Sequence, residues 1–136
     1  MRLTTAAILL VAVASTAHAE MPIEVRSKAD DLVGQRLVYF LKEGIRTSSS
    51  LGLSFDEKKF RLQVNIVTLE QNLQNPGYST VYSMVITWKI PNQPYPLYMD
   101  NWVGYCGTVR VKECAESLLA DVSQKADEVI RVLMSK

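Results

Sequence analysis

The sequence predicts an α+β domain in which an antiparallel sheet of three or four strands carries an N-terminal and a C-terminal helix on one face, in the order α-β-β-β-α. Near both ends of the domain, apolar residues recur at intervals of three and four, which is the period of one-sided helices. Between these ends, apolar and polar residues alternate, as in strands with one covered face. Since both helices need an apolar surface to pack against, one sheet face is expected to carry both.

The first helix is predicted over residues 28–45. Its apolar stripe comprises Ala29, Leu32, Val33, Leu37, Phe40, Leu41 and Ile45. Ser27 followed by Asp30 is similar to a capping box, with aspartate in place of the usual glutamate. Gly44 and the serine-rich run that follows mark the exit from this helix.

Three segments are predicted as strands, at residues 60–68, 79–90 and 97–105, and a short edge strand is predicted at residues 51–55. In the first of the three, the apolar residues lie at even-numbered positions as far as Ile66, but Val67 and Leu69 then lie at odd-numbered positions. This change predicts either a bulge near Ile66 and Val67 or a second buried face. The second strand has one apolar face and one mostly polar face, so we expect one side of the sheet to be covered and the other to be wet.

A second helix is predicted to close the domain. Its apolar stripe is unbroken and comprises Ala115, Leu118, Leu119, Val122, Ala126, Val129, Ile130 and Leu133. Glu113 and Glu116 lie near its start, where the helix dipole favours acidic side chains. We therefore expect a helix over residues 115–133, packed on the same face as the first.

Residues 1–19 are predicted to be a removable secretory signal. Arg2 precedes an apolar run of about a dozen residues, and small residues at positions 17 and 19 place the cut before Glu20. The run is shorter than the roughly 18 to 20 residues that span a bilayer, so no stable membrane insertion is expected. No cysteine near the cut would carry a lipid anchor. The sequence predicts a single α/β domain at residues 20–136, periplasmic or secreted.

Charge and histidine content narrow the classes of function. With Arg2 removed, the predicted domain has 14 basic and 14 acidic residues, so nothing favours a nucleic acid as partner. The single histidine, His18, lies in the predicted signal. Without imidazole there is no Ser-His-Asp or Cys-His nucleophile, and no metal site or cofactor is predicted.

Cys106 and Cys114 are the only cysteines, and both remain in the predicted domain. In an oxidising compartment they are expected to form a structural disulfide that ties the last helix to the sheet. A redox-active pair is the alternative, although such pairs usually lie two residues apart at a helix start. The glycines at positions 104 and 107 are interpreted as easing the passage from strand to helix.

Two further groups of side chains are candidates for function. Tyr95, Tyr98, Trp102 and Tyr105 form an aromatic cluster beside a proline-rich loop. Such residues are common at surfaces that bind peptides or sugars, and core filling at the rim of the sheet is the alternative. Asp100 lies among them and would have a raised pKa if buried, as a catalytic acid needs, but an exposed or capped aspartate explains it as well. No catalytic residue is therefore predicted.

The order of elements resembles that of the small α/β domain in TolB amino-terminal and CsgG-like envelope proteins. The resemblance rests on the helix at residues 32–45, the edge at residues 51–54, the strand at residues 60–68 and the closing helix. The chain is also similar in outline to other small exported bacterial proteins. The resemblance implies an accessory or binding role in the cell envelope, and we expect this chain to differ from the family in having neither a lipid anchor nor a second domain.

The predicted function is a non-enzymatic periplasmic or secreted binding or accessory protein that acts on a protein partner through the wet sheet face or the aromatic loop. An inhibitor or immunity protein against an exported enzyme is one alternative, and a small carboxylate-dependent hydrolase is another. An open edge strand would also allow a homodimer.

Overall fold

The computed structural model of the protein describes residues 20–135, so the predicted signal lies outside the described residues. The elements are β1 (Met21–Ala29), α1 (Leu32–Thr47), β2 (Leu51–Leu53), β3 (Arg61–Glu70), β4 (Ser79–Lys89), β5 (Leu97–Gly107) and α2 (Val111–Met134), with a short 3-10 turn (Thr108–Arg110) before α2. Within residues 20–135 no helix is long and apolar enough to cross a membrane.

The sheet has five strands in the order β2-β1-β3-β4-β5. β1 runs parallel to both β2 and β3, whereas the pairs β3–β4 and β4–β5 are antiparallel. The α+β class is therefore confirmed, but the all-antiparallel sheet of three or four strands and the order α-β-β-β-α are wrong. The difference comes from β1, which forms a strand-helix-strand unit with α1 and β2, and such a unit makes its two strands parallel.

The start of the first helix is also corrected. Residues 28 and 29 belong to β1, and α1 begins at Leu32 after the N-cap Asp31, whose carboxylate accepts a hydrogen bond from the Gly34 N–H at 2.7 Å. Ser27 pairs with Ile66 inside the sheet, so the capping box predicted from Ser27 and Asp30 is wrong. The alternation of the buried residues at positions 21, 23 and 25 places β1 in the core.

Both helices pack on the same face of the sheet, as predicted. They contact each other, α1 lies over β1 to β4, and α2 contacts β5. The fully buried side chains between the layers include Ile23, Leu37, Leu41, Ile45, Leu62, Ile66, Met84, Ile86 and Leu118. Burying each such side chain stabilises the fold by about 1.5 to 3 kcal/mol, so this layer holds the helices to the sheet.

β3 runs straight through the point where its apolar pattern changes parity. The pairing Ile66↔Met84 is followed directly by Val67↔Ser83, without an extra residue. Val67 and Leu69 are 44% and 67% exposed. The predicted bulge and the predicted second buried face are therefore both wrong, because these two side chains lie on the sheet face that the helices leave open.

A bulge occurs instead in β5. Ile86 pairs with Asp100 and Thr87 pairs with Tyr98, which leaves Met99 as the extra residue. An extra residue reverses the parity of the strand beyond it. This explains why the two faces of β5 do not separate in the sequence. The edge strand β2, and the positions of β3, β4, β5 and α2, are as predicted to within a few residues.

Candidate binding surface on the open face of the sheet

The open face of the sheet carries apolar side chains in two adjacent cross-strand rows. Leu69, Val81 and Tyr105 form the first row, because Val81 pairs with both of the others. Val67, Ser83 and Val103 form the second row in the same way. Directly opposite residues in antiparallel strands have their Cβ atoms about 5 Å apart on the same face, so these side chains are contiguous.

We call the five apolar members of these rows the apolar patch: Val67, Leu69, Val81, Val103 and Tyr105. Their exposure ranges from 37% for Val81 to 73% for Tyr105. The patch spans three strands, and no other element within residues 20–135 covers it. Apolar side chains that are exposed together, rather than singly, are typical of interaction sites.

At the other end of the open face the side chains are polar, and most of them are buried beside the neighbouring loops. The Glu24 carboxylate accepts hydrogen bonds from the side chains of Arg61, Gln63 (2.9 Å) and Arg26 (2.5 Å). Arg61 also donates to the main-chain carbonyl of Lys59 at 3.4 Å, which ties it to the loop before β3. Burial alone raises the pKa of Glu24, but the three hydrogen bonds outweigh it and lower the pKa to about 2. Glu24 is therefore ionised and fully engaged within the fold.

A cleft of about 450 Å³ lies above this polar cluster, between it and the loop that joins β4 to β5. The loop is held in place by Lys89, whose ammonium group donates to the carbonyl of Gln93. The cleft is lined by Arg26, Glu57, Arg61, Gln63, Lys89, Pro91, Asn92, Gln93, Pro94 and Pro96. Arg26, Arg61 and Gln63 in its floor each donate to Glu24, so the cluster acts as an internal support for the sheet.

The predicted aromatic cluster is divided between the two faces of β5. Tyr98 and Tyr105 lie on the open face and are 64% and 73% exposed, and Tyr95 lies in the preceding loop. Trp102 pairs with Met84 on the helix-covered face and is half-buried against the core. Trp102 therefore fills the core, and only the tyrosines are placed where they could contact a partner.

Cys106 and Cys114 form the disulfide that the sequence predicts, with their Cα atoms 6.3 Å apart. The bond joins the end of β5 to the beginning of α2. Cys106 is almost completely buried, so an external thiol has little access to its sulfur. This position favours the structural interpretation over a redox-active pair.

Gly104 and Tyr82 face each other across β4 and β5. A Cβ atom on Gly104 would lie 2.7 Å from the Tyr82 hydroxyl oxygen. Gly104 is therefore required for the close approach of this ring, and not for the passage from strand to helix that the sequence suggests.

Asp100 does not have the properties expected of a catalytic acid. Its carboxylate forms an ion pair with Lys125 at 3.0 Å, and Lys125 also bonds Glu128. The hydrogen bond from Lys125 lowers the pKa of Asp100, so this carboxylate is not the buried acid with a raised pKa, and the alternative of an exposed or capped aspartate fits its position. Burial and the charge of Asp100 instead raise the pKa of Asp121. Within residues 20–135 no three His, Cys, Asp or Glu side chains are grouped so that they could hold a metal ion.

Comparison with known proteins gives only distant similarities of structure. No protein-family model matches the sequence, and no curated protein matches it. A minor lipoprotein from Acinetobacter baumannii is 12% identical with a TM-score of 0.45, over 76% of this chain and 93% of that one. A candidate lipoprotein from Caulobacter crescentus is 10% identical with a TM-score of 0.40, over 76% and 90% of the two chains.

A third structure, a candidate homolog of the neuraminyllactose-binding hemagglutinin from Helicobacter pylori, is 7% identical with a TM-score of 0.46, over 95% and 96% of the two chains. None of these three structures is named as a TolB or CsgG protein, so that resemblance stays a prediction.

Sequence reasoning missed most of the apolar patch and the whole polar cluster. The change to odd-numbered apolar positions at Val67 and Leu69 was the signal for the patch, because two apolar side chains on the solvent-exposed side of a strand indicate a contact surface. For the polar cluster the sequence carries no comparable signal, since Glu24 and Arg61 lie 37 residues apart.

Proposed function

We propose that this protein is a non-enzymatic binding protein of the bacterial cell envelope, periplasmic or secreted, and that it contacts a protein partner through the apolar patch. The observation that carries the proposal is the pair of rows formed by Leu69, Val81 and Tyr105 and by Val67 and Val103. Their side chains are exposed together on a rigid sheet. The proposed location is supported by the export signal predicted at residues 1–19 and by the disulfide.

The composition around the patch fits a protein partner. Lys28, Asn65 and Asn101 border it on the open face, because they pair with or adjoin its members along β1, β3 and β5. An apolar centre with a polar rim is the usual organisation of protein interfaces. Tyr105 adds a large, amphipathic side chain of the kind that often dominates binding energy.

The two alternatives differ from this proposal in what they require. An inhibitor or immunity protein would use the same patch but bind one exported enzyme with nanomolar affinity. A carboxylate-dependent hydrolase would need an acid that can hold a proton. The ion pair with Lys125 keeps Asp100 ionised, which leaves Asp121, whose pKa is raised, as the carboxyl group for that role.

The proposal is tested by affinity capture from envelope extract, with the purified protein and two variants as bait. Leu69→Lys places a charge in the patch, and Val132→Lys places the same charge on the exposed part of α2, where Val132 is 52% exposed. We expect the unmodified protein and Val132→Lys to recover the same partner, and Leu69→Lys to recover at most a tenth as much.

Equal recovery by all three baits, or recovery of no protein by any, would overturn the proposed surface. Hydrolysis of peptidoglycan or a glycoside that Asp100→Asn abolishes would overturn the non-enzymatic assignment.

A further inference from the structure

The outer edge of β5 is open along its length. The sheet ends at β5, and within residues 20–135 no strand pairs with its second edge. Natural sheets usually protect such an edge with lysines, prolines or a strand too short to pair. β5 has eleven residues, contains no proline, and has Asp100 as its one charged residue. The charge of Asp100 and the bulge at Met99 protect the first half of the strand, so the part that is open to pairing is residues 101–107.

The hydrogen-bond pattern identifies which main-chain groups are free at this edge. The N–H of Thr108 donates to the carbonyl of Tyr78 at 2.8 Å, so residues 78 and 108 form a hydrogen-bonded pair of the ladder. In an antiparallel ladder such pairs alternate with non-bonded ones. Cys106, Gly104 and Trp102 therefore direct their main-chain groups towards β4, whereas Tyr105, Val103 and Asn101 direct theirs to the open edge. The N–H of Asn101 is already used there, since it donates to the Asp100 carboxylate at 2.9 Å.

We infer that β5 pairs with β5 of a second copy of this chain, antiparallel and about a two-fold axis at Val103. In this register Val103 pairs with its own counterpart, and Asn101 pairs with Tyr105 of the second copy. The free N–H groups of Val103 and Tyr105 of each copy then donate to the carbonyls of Val103 and Asn101 of the other, which gives four hydrogen bonds between the copies. The interface is isologous, as expected of a closed dimer.

A second copy fits this edge for two reasons. Residues 101–107 contain no charged side chain, so the strand does not repel a copy of itself. On the open face Val103 lies beside its own counterpart, and β-branched pairs of this kind stabilise strand pairing.

The dimer goes beyond the proposed function and does not depend on it. The two sheets become one ten-stranded sheet with both pairs of helices on the same side. The apolar patch of each copy meets the other at Val103, so the dimer presents one continuous binding surface of twice the area. Because edge pairing leaves the faces free, Leu69 and Val81 remain exposed.

Charge substitution at the two-fold axis tests the dimer and its register together. Val103→Lys and Val103→Glu each place two like charges directly opposite one another, which opposes pairing. An equimolar mixture of the two variants places opposite charges there and should pair again. The mass of each purified sample is measured by sedimentation or light scattering over a range of micromolar concentrations, with Val132→Lys as the control for added charge.

We expect twice the mass of one chain for the unmodified protein and for Val132→Lys, the mass of one chain for each Val103 variant alone, and the doubled mass for their mixture. Because Val103 is 71% exposed, the variants should fold, and circular dichroism checks this.

A single-chain mass for the unmodified protein, or doubled masses for both variants alone, would overturn the dimer. A mixture that stays monomeric would overturn the register at Val103. Leu69→Lys should dimerise normally, so loss of partner capture and loss of the dimer can be told apart.

Discussion

The Glu24 carboxylate and the Arg61 guanidinium form a buried ion pair on the face of the sheet that the helices leave open. Their side chains are only 8% and 3% exposed, because the loops before β3 and after β4 fold over them. Removing one partner of such a pair leaves an uncompensated buried charge, which usually costs more than the pair itself contributes. The pair therefore connects β1 to the loops before β3 and after β4.

The ion pair predicts a loss of stability in acid. The pKa of Glu24 falls from its usual 4.5 to about 2 in the folded protein. A lowered folded-state pKa stabilises the fold above pH 4.5, and this contribution is lost as the pH falls towards 2, because the unfolded chain takes up the proton first. The contribution of Glu24 amounts to about 3 kcal/mol at neutral pH.

Glu24→Gln should lower the free energy of unfolding by about 3 kcal/mol at pH 7 and by much less at pH 2 to 3. Urea unfolding at both pH values measures the difference. Glu57→Gln, an exposed position on the loop before β3, is the matched control and should change little at either pH. A pH-independent loss in Glu24→Gln would show that the side chain acts by packing alone.

The disulfide predicts that the stability of the fold depends on the presence of a reductant. Cys106 and Cys114 close a loop of about nine residues, since they are eight positions apart. On the chain-entropy model such a loop stabilises the fold by about 2.5 kcal/mol. The midpoint of urea unfolding should fall when dithiothreitol is added. The double variant Cys106→Ala and Cys114→Ala should unfold at that lower midpoint with or without reductant, and a midpoint that responds to dithiothreitol in this variant would contradict the assignment.

The helices and the antiparallel strands could be predicted because their patterns are long. α2 repeats its apolar spacing over 24 residues, and β4 alternates over 11. β1 was missed because its second half, from Arg26 to Lys28, is polar and the potential cap at Ser27 looks like the start of a helix. What makes this segment a strand is its pairing with β3 at residues 23–29, to which β2 adds pairing on the other edge only at residues 21–23. That tertiary pairing is not visible in nine residues of sequence.

The candidate surface was predicted only in part, for a related reason. Tyr98 and Tyr105 were identified by residue type and do lie on the open face, but Trp102 was grouped with them although it faces the core. The bulge at Met99 changes the parity between Tyr98 and Tyr105, so simple alternation assigns one of them to the wrong face. Because bulges depend on how a strand fits its neighbour, the division of the cluster needed the structure.

Two helical glycines predict opposite effects of the same substitution. A Cβ atom on Gly34 would lie 1.9 Å from the Thr68 hydroxyl oxygen and 2.6 Å from the Thr68 Cβ, so α1 could not keep its distance from β3. On Gly44 the nearest atom is a terminal methyl carbon of Leu119 at 2.7 Å, which can move by rotation of the side chain. Alanine is favoured over glycine in a helix by about 1 kcal/mol at both positions.

Gly34→Ala should therefore destabilise the fold by at least about 2 kcal/mol, whereas Gly44→Ala should be neutral or stabilise it slightly. Thermal unfolding of the two variants side by side measures the contrast. Similar midpoints for both would mean that α1 can shift away from Thr68 at little cost.

The stripe of α1 provides the last test, because the sequence treats Leu32 and Leu37 alike and the structure does not. Leu37 is fully buried between α1 and the sheet, whereas Leu32 is 63% exposed in the first turn of the helix. Leu37→Ala leaves a cavity in a close-packed core and should cost about 3 kcal/mol, and Leu32→Ala should cost less than about 1 kcal/mol. Both variants remove the same atoms from the same helix, so the difference between their urea midpoints measures burial alone. If the two losses were equal, α1 would have to start earlier in the chain and turn Leu32 towards the core, as the uncorrected prediction of a helix from residue 28 requires.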